Sequence, residues 1–487
     1  MVKIMSDYKI IARNQIYNDI KEIILENDHK SHFISIVGKG GTGKTTLLYN
    51  LMEELENYSG NQKLLIVNFD YRDLLGQSTA GTFLYVILKL LSKFEGIFSE
   101  SEFLEFLGLM LKSEVTFQEL LQFAESALTK LYDEDIRIVL LEDTLEIIKA
   151  PSDYIHNAFS VGALIPNCVA IVACRPENNA IENLSNIRKI LSNKKWVIHK
   201  PFELISFNFF ETQEFLGDSL PTDLQEKIYL LTQGSPIHLA ITLEILKNNV
   251  HLEIFNKNIN ELTNEFEKSP KKLFQIFEYE LLGKISKLKT NLDWALLILS
   301  YLNRRYDKKI LKIFLDVSDR ELENLESKIK SLRFLRKSTM PNRYHKELLH
   351  DEMQRMINEN LWEDIDFDGS HRKLLAQKIV DEYYIPEIDN LKQNMTILES
   401  KLDGYQNIID YWNMSIDLAE LQNESLDYKY RINHAIALNY LDSLIKDAKN
   451  NKLGNLAKLL LFNGVVNIDL YNIVDKKKLR EKIWEDS

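Results

Sequence analysis

A glycine-rich turn between an apolar run and a helical pattern is the feature that most constrains this chain of 487 residues. The run HFISIV (32–37) is short and apolar, and the turn after it reads GKGGTGKT from Gly38 to Thr45. Glycines in such a turn let backbone amides point inward, and the following helix adds the positive end of its dipole. These groups together predict a phosphate-binding loop.

Each polar residue of this loop has a predicted role. Lys44 is expected to reach the β- and γ-phosphates of a nucleotide, and Thr45 is expected to hold Mg²⁺ through its hydroxyl. The alternative is a structural turn without a ligand, but the complete motif between a strand and a helix favours phosphate binding. The predicted nucleotide-binding residues are Gly38, Gly40, Gly41, Thr42, Gly43, Lys44, Thr45 and Thr46.

Four further apolar runs alternate with helical stretches in the first 200 residues. They are KLLIVNF (63–69), IRIVLL (136–141), VAIVAC (169–174) and the weaker KWVIHK (195–200). Runs that are apolar nearly throughout are typical of parallel strands covered by helices on both faces. The alternation therefore predicts an α/β core over residues 1–200, built on a parallel sheet.

The pattern becomes helical after this core. Residues 201–272 predict a helical lid, which is broken at Gly234-Ser235-Pro236. Residues 273–365 predict three helices followed by two short extended runs around a Pro-Asn turn, which is the outline of a winged helix. Residues 366–487 predict an all-α C-terminal region that serves as a sensor or an interaction module.

Charge and composition exclude several classes of protein. The formal net charge of -12 disfavours general nucleic-acid binding, because a phosphate backbone attracts positive charge. Two cysteines, Cys168 and Cys174, lie on one apolar run and predict buried thiols in a reducing compartment. The chain shows no signal peptide and no apolar run long enough for a membrane helix, so we expect a cytoplasmic protein without a membrane partner.

Acidic residues follow the third apolar run, in RIVLLEDTLEII. Asp143 is the first candidate for a carboxylate on the Mg²⁺ side, with Glu142 as the second, and Glu142, Asp143 and Glu146 are candidates to orient the attacking water. The alternative is that these acids only cap the following helix. Arg175 ends the fourth run and predicts a group that senses the γ-phosphate, with a surface salt bridge as its alternative.

Two further motifs are TQGSP at 232–236 and Leu349-His350-Asp351. Together with the motifs described above, they make the sequence from about residue 10 to residue 365 resemble the STAND class of signal-transduction ATPases. These proteins are relatives of AAA+ ATPases and include the NB-ARC and NACHT switches. Two departures from the family pattern are Leu349 in place of methionine and Glu142 ahead of Asp143. The resemblance rests on the loop at 38–45, VLLEDTLE at 139–146, AIVACRP at 170–176, TQGSP at 232–236 and Leu349-His350-Asp351.

The resemblance implies an ATP/ADP-operated switch with slow hydrolysis that resets it. Pro236 would pack near the adenine, and His350 would contact the bound ADP in a closed form. Exchange of ADP for ATP would release the winged helix and permit assembly into a homo-oligomer. Because only about 30 residues precede the loop strand, we expect effector action to come from a partner protein, plausibly in bacterial anti-phage defence.

Two other families remain alternatives. Lys39 in KGGTGKT resembles the extra lysine of partition ATPases, but those are small single-domain proteins without a lid of this kind. Origin-recognition ATPases join an AAA+ core to a DNA-binding winged helix, and the basic run Arg304, Arg305, Lys308 and Lys309 would be the DNA-binding candidate here. The alternative interpretation of this run is a solvated helix face.

Overall fold

The structure, a computed structural model, divides into two compact units, each made of three separate segments. One comprises Met1–Ile23, Ile36–Leu51 and Phe202–Arg372, and the other comprises Ile24–Ser35, Met52–Pro201 and Lys373–Ser487. The boundaries of the four predicted domains stay predictions. The described residues are 13–70, 99, 101, 105, 122, 126, 129–147, 167–218, 220–247, 252–285, 290–302, 307–331, 335–336, 348–362, 365–400, 405–451, 457–458, 461, 465 and 476–484.

The six described strands of the main sheet are β1 (His32–Gly38), β2 (Lys63–Asp70), β3 (Ile136–Asp143), β4 (Cys168–Cys174), β5 (Val197–Ile198) and β6 (Phe202–Leu204). Their order is β2-β3-β4-β1-β5, and β6 also pairs with β1. The pairs β1–β5, β1–β6, β2–β3 and β3–β4 are all parallel. In the β2–β3 pair, Lys63 lies opposite Ile136 and Asp70 lies opposite Asp143.

Burial explains why the strand sequences are apolar. Every residue of β3 and of β4 is buried, as expected for strands covered on both faces. The prediction of a parallel sheet with helices is therefore confirmed. The weak run at 195–200 yields only the two residues of β5, and β6 was not predicted because three residues are too few to show a periodic pattern.

Three described helices belong to the same part of the chain, and their apolar faces are buried. Tyr17, Ile20 and Ile24 lie on the buried face of the first helix. The second helix buries four leucines, Leu47, Leu48, Leu51 and Leu55. The helices are α1 (Asn14–Leu25), α2 (Lys44–Glu56) and α3 (Asn178–Asn193).

Five described helices lie in the predicted lid and at the start of the next predicted domain. A break separates the second from the third, because Gln233 and Gly234 have φ angles of 50° and 66°. A Cβ atom on Gly234 would lie 1.9 Å from the carbonyl oxygen of Phe207, so only glycine fits there. The helices are α4 (Phe209–Leu216), α5 (Thr222–Thr232), α6 (Pro236–Lys247), α7 (Ile259–Lys268) and α8 (Pro270–Ile285).

Three helices and a short antiparallel strand pair come next. The strands β7 (Leu335–Arg336) and β8 (Leu348–Leu349) pair with Leu335 opposite Leu349. The predicted Pro-Asn turn between them falls outside the described residues, and the assignment as a winged helix stays a prediction. The helices are α9 (Asn291–Tyr301), α10 (Lys308–Phe314) and α11 (Asp319–Ser331).

The remainder of the chain is mostly helical, as predicted. Two π-helical turns, Asn358–Trp362 and Val380–Tyr384, interrupt the regular helices. The hydroxyl of Tyr384 donates to Glu424 at 3.0 Å in a buried setting. Across the described residues, no helix has the length and apolar character needed to cross a membrane. The helices are α12 (Asp351–Ile357), α13 (Ser370–Ile379), α14 (Ile385–Glu399), α15 (Tyr405–Ile432), α16 (His434–Asn450) and α17 (Lys476–Trp484).

Candidate nucleotide site

The predicted phosphate-binding loop connects β1, which ends at Gly38, to α2, which begins at Lys44. Gly41 and Gly43 have φ angles of 75° and 93°, a region that favours glycine. The amide of Leu47 donates to the carbonyl of Gly43 at 2.9 Å, so the helix begins directly after the last glycine. The loop therefore has the strand–turn–helix connection that phosphate binding requires.

Lys44 lies folded against this loop. Its side chain is buried, and its Nζ atom donates to the carbonyls of Gly38 at 2.7 Å and Lys39 at 2.9 Å. The hydroxyl of Thr42 donates to the same Lys39 carbonyl at 2.9 Å. These bonds draw the loop into a compact turn around the lysine.

The other loop residues differ in exposure. Gly40 and Thr45 are half-buried, whereas Thr46 and Lys39 are exposed. Lys39 carries the extra positive charge that resembles partition ATPases. Its backbone carbonyl organises the turn, while its side chain faces solvent.

The Gly-Ser-Pro segment lies against the loop in the same compact unit. A Cβ atom on Gly41 would lie 2.5 Å from Cγ2 of Ile237 and 3.9 Å from Oγ of Ser235. Ile237 is the second residue of α6, immediately after Pro236. The break between α5 and α6 therefore brings the start of α6 onto the loop. The contact of Pro236 with adenine stays a prediction.

Three buried carboxylates lie at the ends of β2 and β3. Glu142 and Asp143 are each 3% exposed, and Asp70 is 2% exposed. Asp70 pairs with Asp143 in the sheet register. Asp70 was not among the site residues predicted from the sequence. The available signal was the carboxylate that directly follows the apolar run at 63–69.

Thr144 joins two of these carboxylates. Its backbone amide donates to Oδ1 of Asp143 at 2.9 Å, and its hydroxyl donates to Oδ1 of Asp70. Thr144 itself is buried and has a φ angle of 61°. The turn after β3 is therefore fixed by side chains from two neighbouring strands.

Glu146 and Arg175 form an ion pair. Nε of Arg175 lies 3.2 Å from Oε1 of Glu146, and the amide of Arg175 donates to Oε2 of Glu146 at 3.1 Å. The Glu146 side chain is 9% exposed, whereas that of Arg175 is 32% exposed. A salt bridge was the alternative to phosphate sensing for Arg175. The roles of both residues toward a nucleotide stay predictions.

The two cysteines are part of the sheet. Both are thiols that are buried on β4. Burial raises the pKa of the Cys168 thiol, and the nearby charge of Glu142 raises it further. Because the thiolate is the nucleophilic form, Cys168 is unsuited to chemistry, as the sequence pattern indicated.

The loop and the acidic strand end are each suited, taken separately, to part of a Mg²⁺-bound nucleotide. The loop offers glycine-rich backbone and a buried lysine, which suit anionic phosphate oxygens. Hydroxyl and carboxylate oxygens suit Mg²⁺, and Thr45 and Asp143 stay its predicted ligands. When bound, the nucleotide would supply the phosphoanhydride bond that hydrolysis breaks.

His350 caps helix α12. Its Nδ1 atom accepts a hydrogen bond from the amide of Glu352 at 3.2 Å, and Asp351 is the first residue of the helix. The residue lies directly after β8. Its contact in the structure is that of a helix cap. The contact with ADP stays a prediction.

A chain of hydrogen bonds links the Gly-Ser-Pro segment to α12. Oγ of Ser235 lies 2.8 Å from Nδ1 of His238, and Nε2 of His238 lies 2.9 Å from Oε1 of Glu278. Nη2 of Arg355 donates to the same oxygen of Glu278 at 2.7 Å. Ser235, His238, Glu278 and Arg355 together form what we call the lid relay. It joins α6, α8 and α12 within one compact unit.

Among the described residues, two groups of side chains could offer ligand atoms to a cation. One comprises His238, Glu278 and Glu352, and Arg355 already supplies positive charge to both glutamates there. The other comprises Glu26, Asp28 and His32 near the start of β1. Nη1 of Arg137 lies 3.6 Å from Oδ1 of Asp28, so this group has a guanidinium partner as well. Both groups are therefore explained as structural networks.

Comparisons with known proteins identify the loop region. Residues 13–114 match the family model described as the KAP family P-loop domain. No curated protein matches the chain significantly. The matched residues include β1, the loop, α2 and β2, so the chain contains a P-loop NTPase domain. Such a domain implies nucleotide binding.

Among solved structures, the chain is similar to proteins named ORC and CDC6P. The ORC2 protein of Aeropyrum pernix, in its ADPNP-ADP complexes, has 10% identity and a TM-score of 0.34 over 73% of this chain and 95% of that chain. Cdc6p of Pyrobaculum aerophilum has 15% identity and a TM-score of 0.34, with coverages of 74% and 97%. The ORC1 protein of Aeropyrum pernix in complex with DNA has 13% identity and a TM-score of 0.35, with coverages of 74% and 95%. At these values the likeness decides nothing about function.

Proposed function

We propose that this chain is an ATP/ADP-operated switch of the STAND class. ADP would hold a closed form, and ATP would permit assembly into a homo-oligomer that controls a partner effector. Bacterial anti-phage defence is the proposed setting. The P-loop NTPase domain supports nucleotide binding, and the proposal adds the switching behaviour and the partners.

In this proposal the loop residues bind the phosphates, and Lys44 reaches the β- and γ-phosphates. Thr45 and Asp143 are the ligands assigned to Mg²⁺, and Glu142 and Glu146 are the candidates to orient the attacking water. Arg175 is the candidate to sense the γ-phosphate. Phosphoryl transfer depends mainly on positioning and charge stabilisation, which these residue types supply.

The observation that supports switching is the lid relay. Ser235 and Ile237 lie against the loop glycine Gly41, and the relay continues from Ser235 to Arg355 on α12. Helix α12 is the element that His350 caps. A ligand that displaces the start of α6 would therefore disturb hydrogen bonds that end on α12.

The energetic requirement for such a switch is differential affinity. A nucleotide shifts the equilibrium between a closed and an open form only by the difference in its affinity for the two. A change from 1:99 to 99:1 requires about 5.5 kcal/mol of such difference. Hydrogen bonds of the lid relay that exist in one form alone would contribute part of it.

The test is the size of the particle with each nucleotide. Glu142→Gln is expected to slow hydrolysis and retain ATP, so this variant with ATP and Mg²⁺ should give a larger species by light scattering than with ADP. Lys44→Ala in the same background should remain small with either nucleotide. A particle of unchanged mass in every nucleotide state, despite measured ATP binding, would refute the switch and leave a simple ATPase.

A second candidate function is a DNA-associated AAA+ ATPase. The observation that favours it is the exposure of Lys308 and Lys309 at the start of α10, within the predicted winged helix. Arg304 and Arg305 of the same basic run fall outside the described residues. Binding through phosphate contacts would weaken steeply with salt. Duplex DNA titrations at low and high salt, with Lys308→Glu as the comparison, separate this function from the switch.

A further inference from the structure

Thr144 has an unusual backbone conformation for its residue type. Among the described residues, six that are not glycine have positive φ angles: His29, Asp135, Thr144, Asn167, Lys195 and Gln233. Thr144 is the β-branched member of this set. A β-branched residue is disfavoured in the left-handed region, so it persists there only when its surroundings hold it.

The surroundings of Thr144 are two buried carboxylates. Asp70 accepts from the Thr144 hydroxyl, and Asp143 accepts from the Thr144 amide at 2.9 Å. All three residues are at most 6% exposed. Asp70 and Asp143 lie opposite each other in the β2–β3 pair, so Thr144 bridges adjacent strand ends.

This arrangement fixes the carboxylate of Asp143 from one side. A side-chain oxygen that accepts a backbone amide has a restricted orientation. The φ angle of Thr144 sets the direction of its amide relative to its own side chain, and the hydroxyl of that side chain is bonded to Asp70. The bond to Asp70 therefore helps to hold the amide that Asp143 accepts. A magnesium site needs carboxylates at near-ideal octahedral positions, so small errors in orientation weaken it.

We propose that Asp70 is a positioning residue for Mg²⁺-nucleotide binding and that it acts through Thr144 on Asp143. This role rests on the proposed function, in which Asp143 is a ligand of Mg²⁺. Asp70 does not contact the reacting atoms in this proposal. Its contribution is to hold the turn after β3 in the conformation that orients Asp143.

Four variants test this role. Thr144→Val keeps the shape of the side chain and removes the hydroxyl, whereas Thr144→Ser keeps the hydroxyl and removes a methyl group. Asp70→Asn keeps the shape and removes the charge. Thr144→Gly removes the hydroxyl, but glycine adopts the left-handed conformation easily, so this variant should fold even if Thr144→Val does not.

Binding of a fluorescent ATP analogue is measured with Mg²⁺ and with a chelator. Because a lost hydrogen bond to a charged group weakens binding about tenfold, Thr144→Val, Thr144→Gly and Asp70→Asn should lower the Mg²⁺-dependent gain in affinity by about this factor. Affinity in the chelator should not change, and Thr144→Ser should restore the gain. Thermal unfolding of each variant separates this effect from a loss of stability.

Two results overturn the proposal in distinguishable ways. If the wild-type chain gains affinity with Mg²⁺ and the folded Thr144→Gly and Asp70→Asn variants gain as much, the positioning role is wrong and the proposed function stands. If the wild-type chain does not bind the analogue in either condition, with Mg²⁺ or with the chelator, the proposed function fails and the positioning role fails with it.

Discussion

Nη2 of Arg355 lies 2.7 Å from Oε1 of Glu278, and the same oxygen lies 2.9 Å from Nε2 of His238. The Glu278 side chain is 5% exposed, and these two partners supply its hydrogen bonds. Burial disfavours the charge of Arg355, but its hydrogen bond to Glu352 and the charges of Glu352, Glu278 and Glu359 outweigh burial. The pKa of Arg355 is therefore raised, and the guanidinium remains positive.

Arg355→Gln should lower the free energy of unfolding by about 1–3 kcal/mol, because it leaves the buried Glu278 with less compensation. The double variant with Glu278→Gln should recover part of this loss, since the uncompensated charge is gone. Denaturant titrations of the single and double variants measure both effects. Lys392→Gln is the matched control, because its pair with Asp447 is exposed on both sides and should contribute less than about 1 kcal/mol. If Arg355→Gln and Lys392→Gln lowered the free energy of unfolding equally, a structural role for the lid relay would be contradicted.

Lys44→Ala should weaken ATP binding by about 10- to 100-fold, because a hydrogen bond to a charged phosphate contributes about 1.5–3 kcal/mol. The matched variant is Lys39→Ala, whose side chain is exposed. If the chain is the proposed switch, Lys39→Ala should keep ATP affinity and turnover near the wild-type values. Isothermal titration and a phosphate-release assay provide the two measurements. A loss of turnover in Lys39→Ala with intact binding would instead support the partition-ATPase alternative.

Asp366 gives a prediction for the dependence of stability on pH. Its side chain is fully buried and accepts from the amides of His371 at 2.7 Å and Arg372 at 2.9 Å, at the start of α13. Burial alone would raise the pKa of Asp366, but these hydrogen bonds, together with those from the Arg372 and His371 side chains, lower it. A carboxyl whose folded pKa is lowered stabilises the fold above its unfolded pKa, about 3.9, and this stabilisation is lost as pH falls through the folded value.

Asp366→Asn should therefore lower the melting temperature at pH 7 and have a smaller effect as the pH falls below about 4. Thermal unfolding at several pH values gives the comparison, with exposed Glu382→Gln as the control. If the difference in melting temperature between Asp366→Asn and wild type stays constant down to acidic pH, the shape of the side chain rather than its charge causes the loss of stability.

Much of the core could be predicted from the sequence because its signals are local. The loop motif is one continuous stretch of sequence with a strong glycine pattern. The strand β3 is another continuous stretch, and its apolar pattern is equally clear. The bond between Thr144 and Asp70 could not be predicted, since it joins residues 74 apart. The left-handed φ angle of Thr144 also contradicts the preference of a β-branched residue, so local sequence argues against it.

The lid relay was unpredictable for a related reason. It combines residues separated by 40 and 77 positions, each of which is ordinary in its own segment. The helices α6, α8 and α12 follow from apolar periodicity, but their polar contacts depend on how they pack. The break at Gly234 was visible in the sequence, whereas its consequence, the contact of Ile237 with Gly41, required the fold.

His350 provides the last prediction, because two interpretations of one residue lead to different results. As a cap, its Nδ1 atom accepts from the amide of Glu352, so the ring stabilises α12 directly. As a nucleotide contact, the imidazole would donate to the β-phosphate of ADP in the closed form alone, and such a bond is strong because the acceptor is charged. The bond would stabilise the closed form selectively.

His350→Asn separates the two interpretations, since asparagine is a good helix cap but lacks the imidazole. If only the cap matters, His350→Asn should keep both thermal stability and ADP affinity, while His350→Ala should lower the free energy of unfolding by about 1 kcal/mol. If the ADP contact exists, both variants should bind ADP about tenfold more weakly, the asparagine variant without loss of stability, and both should assemble more readily. ATP affinity should change less than ADP affinity, because the contact belongs to the closed form. An ADP dissociation constant that is the same in wild type, His350→Asn and a folded His350→Ala would rule out the contact and leave His350 as the cap of α12.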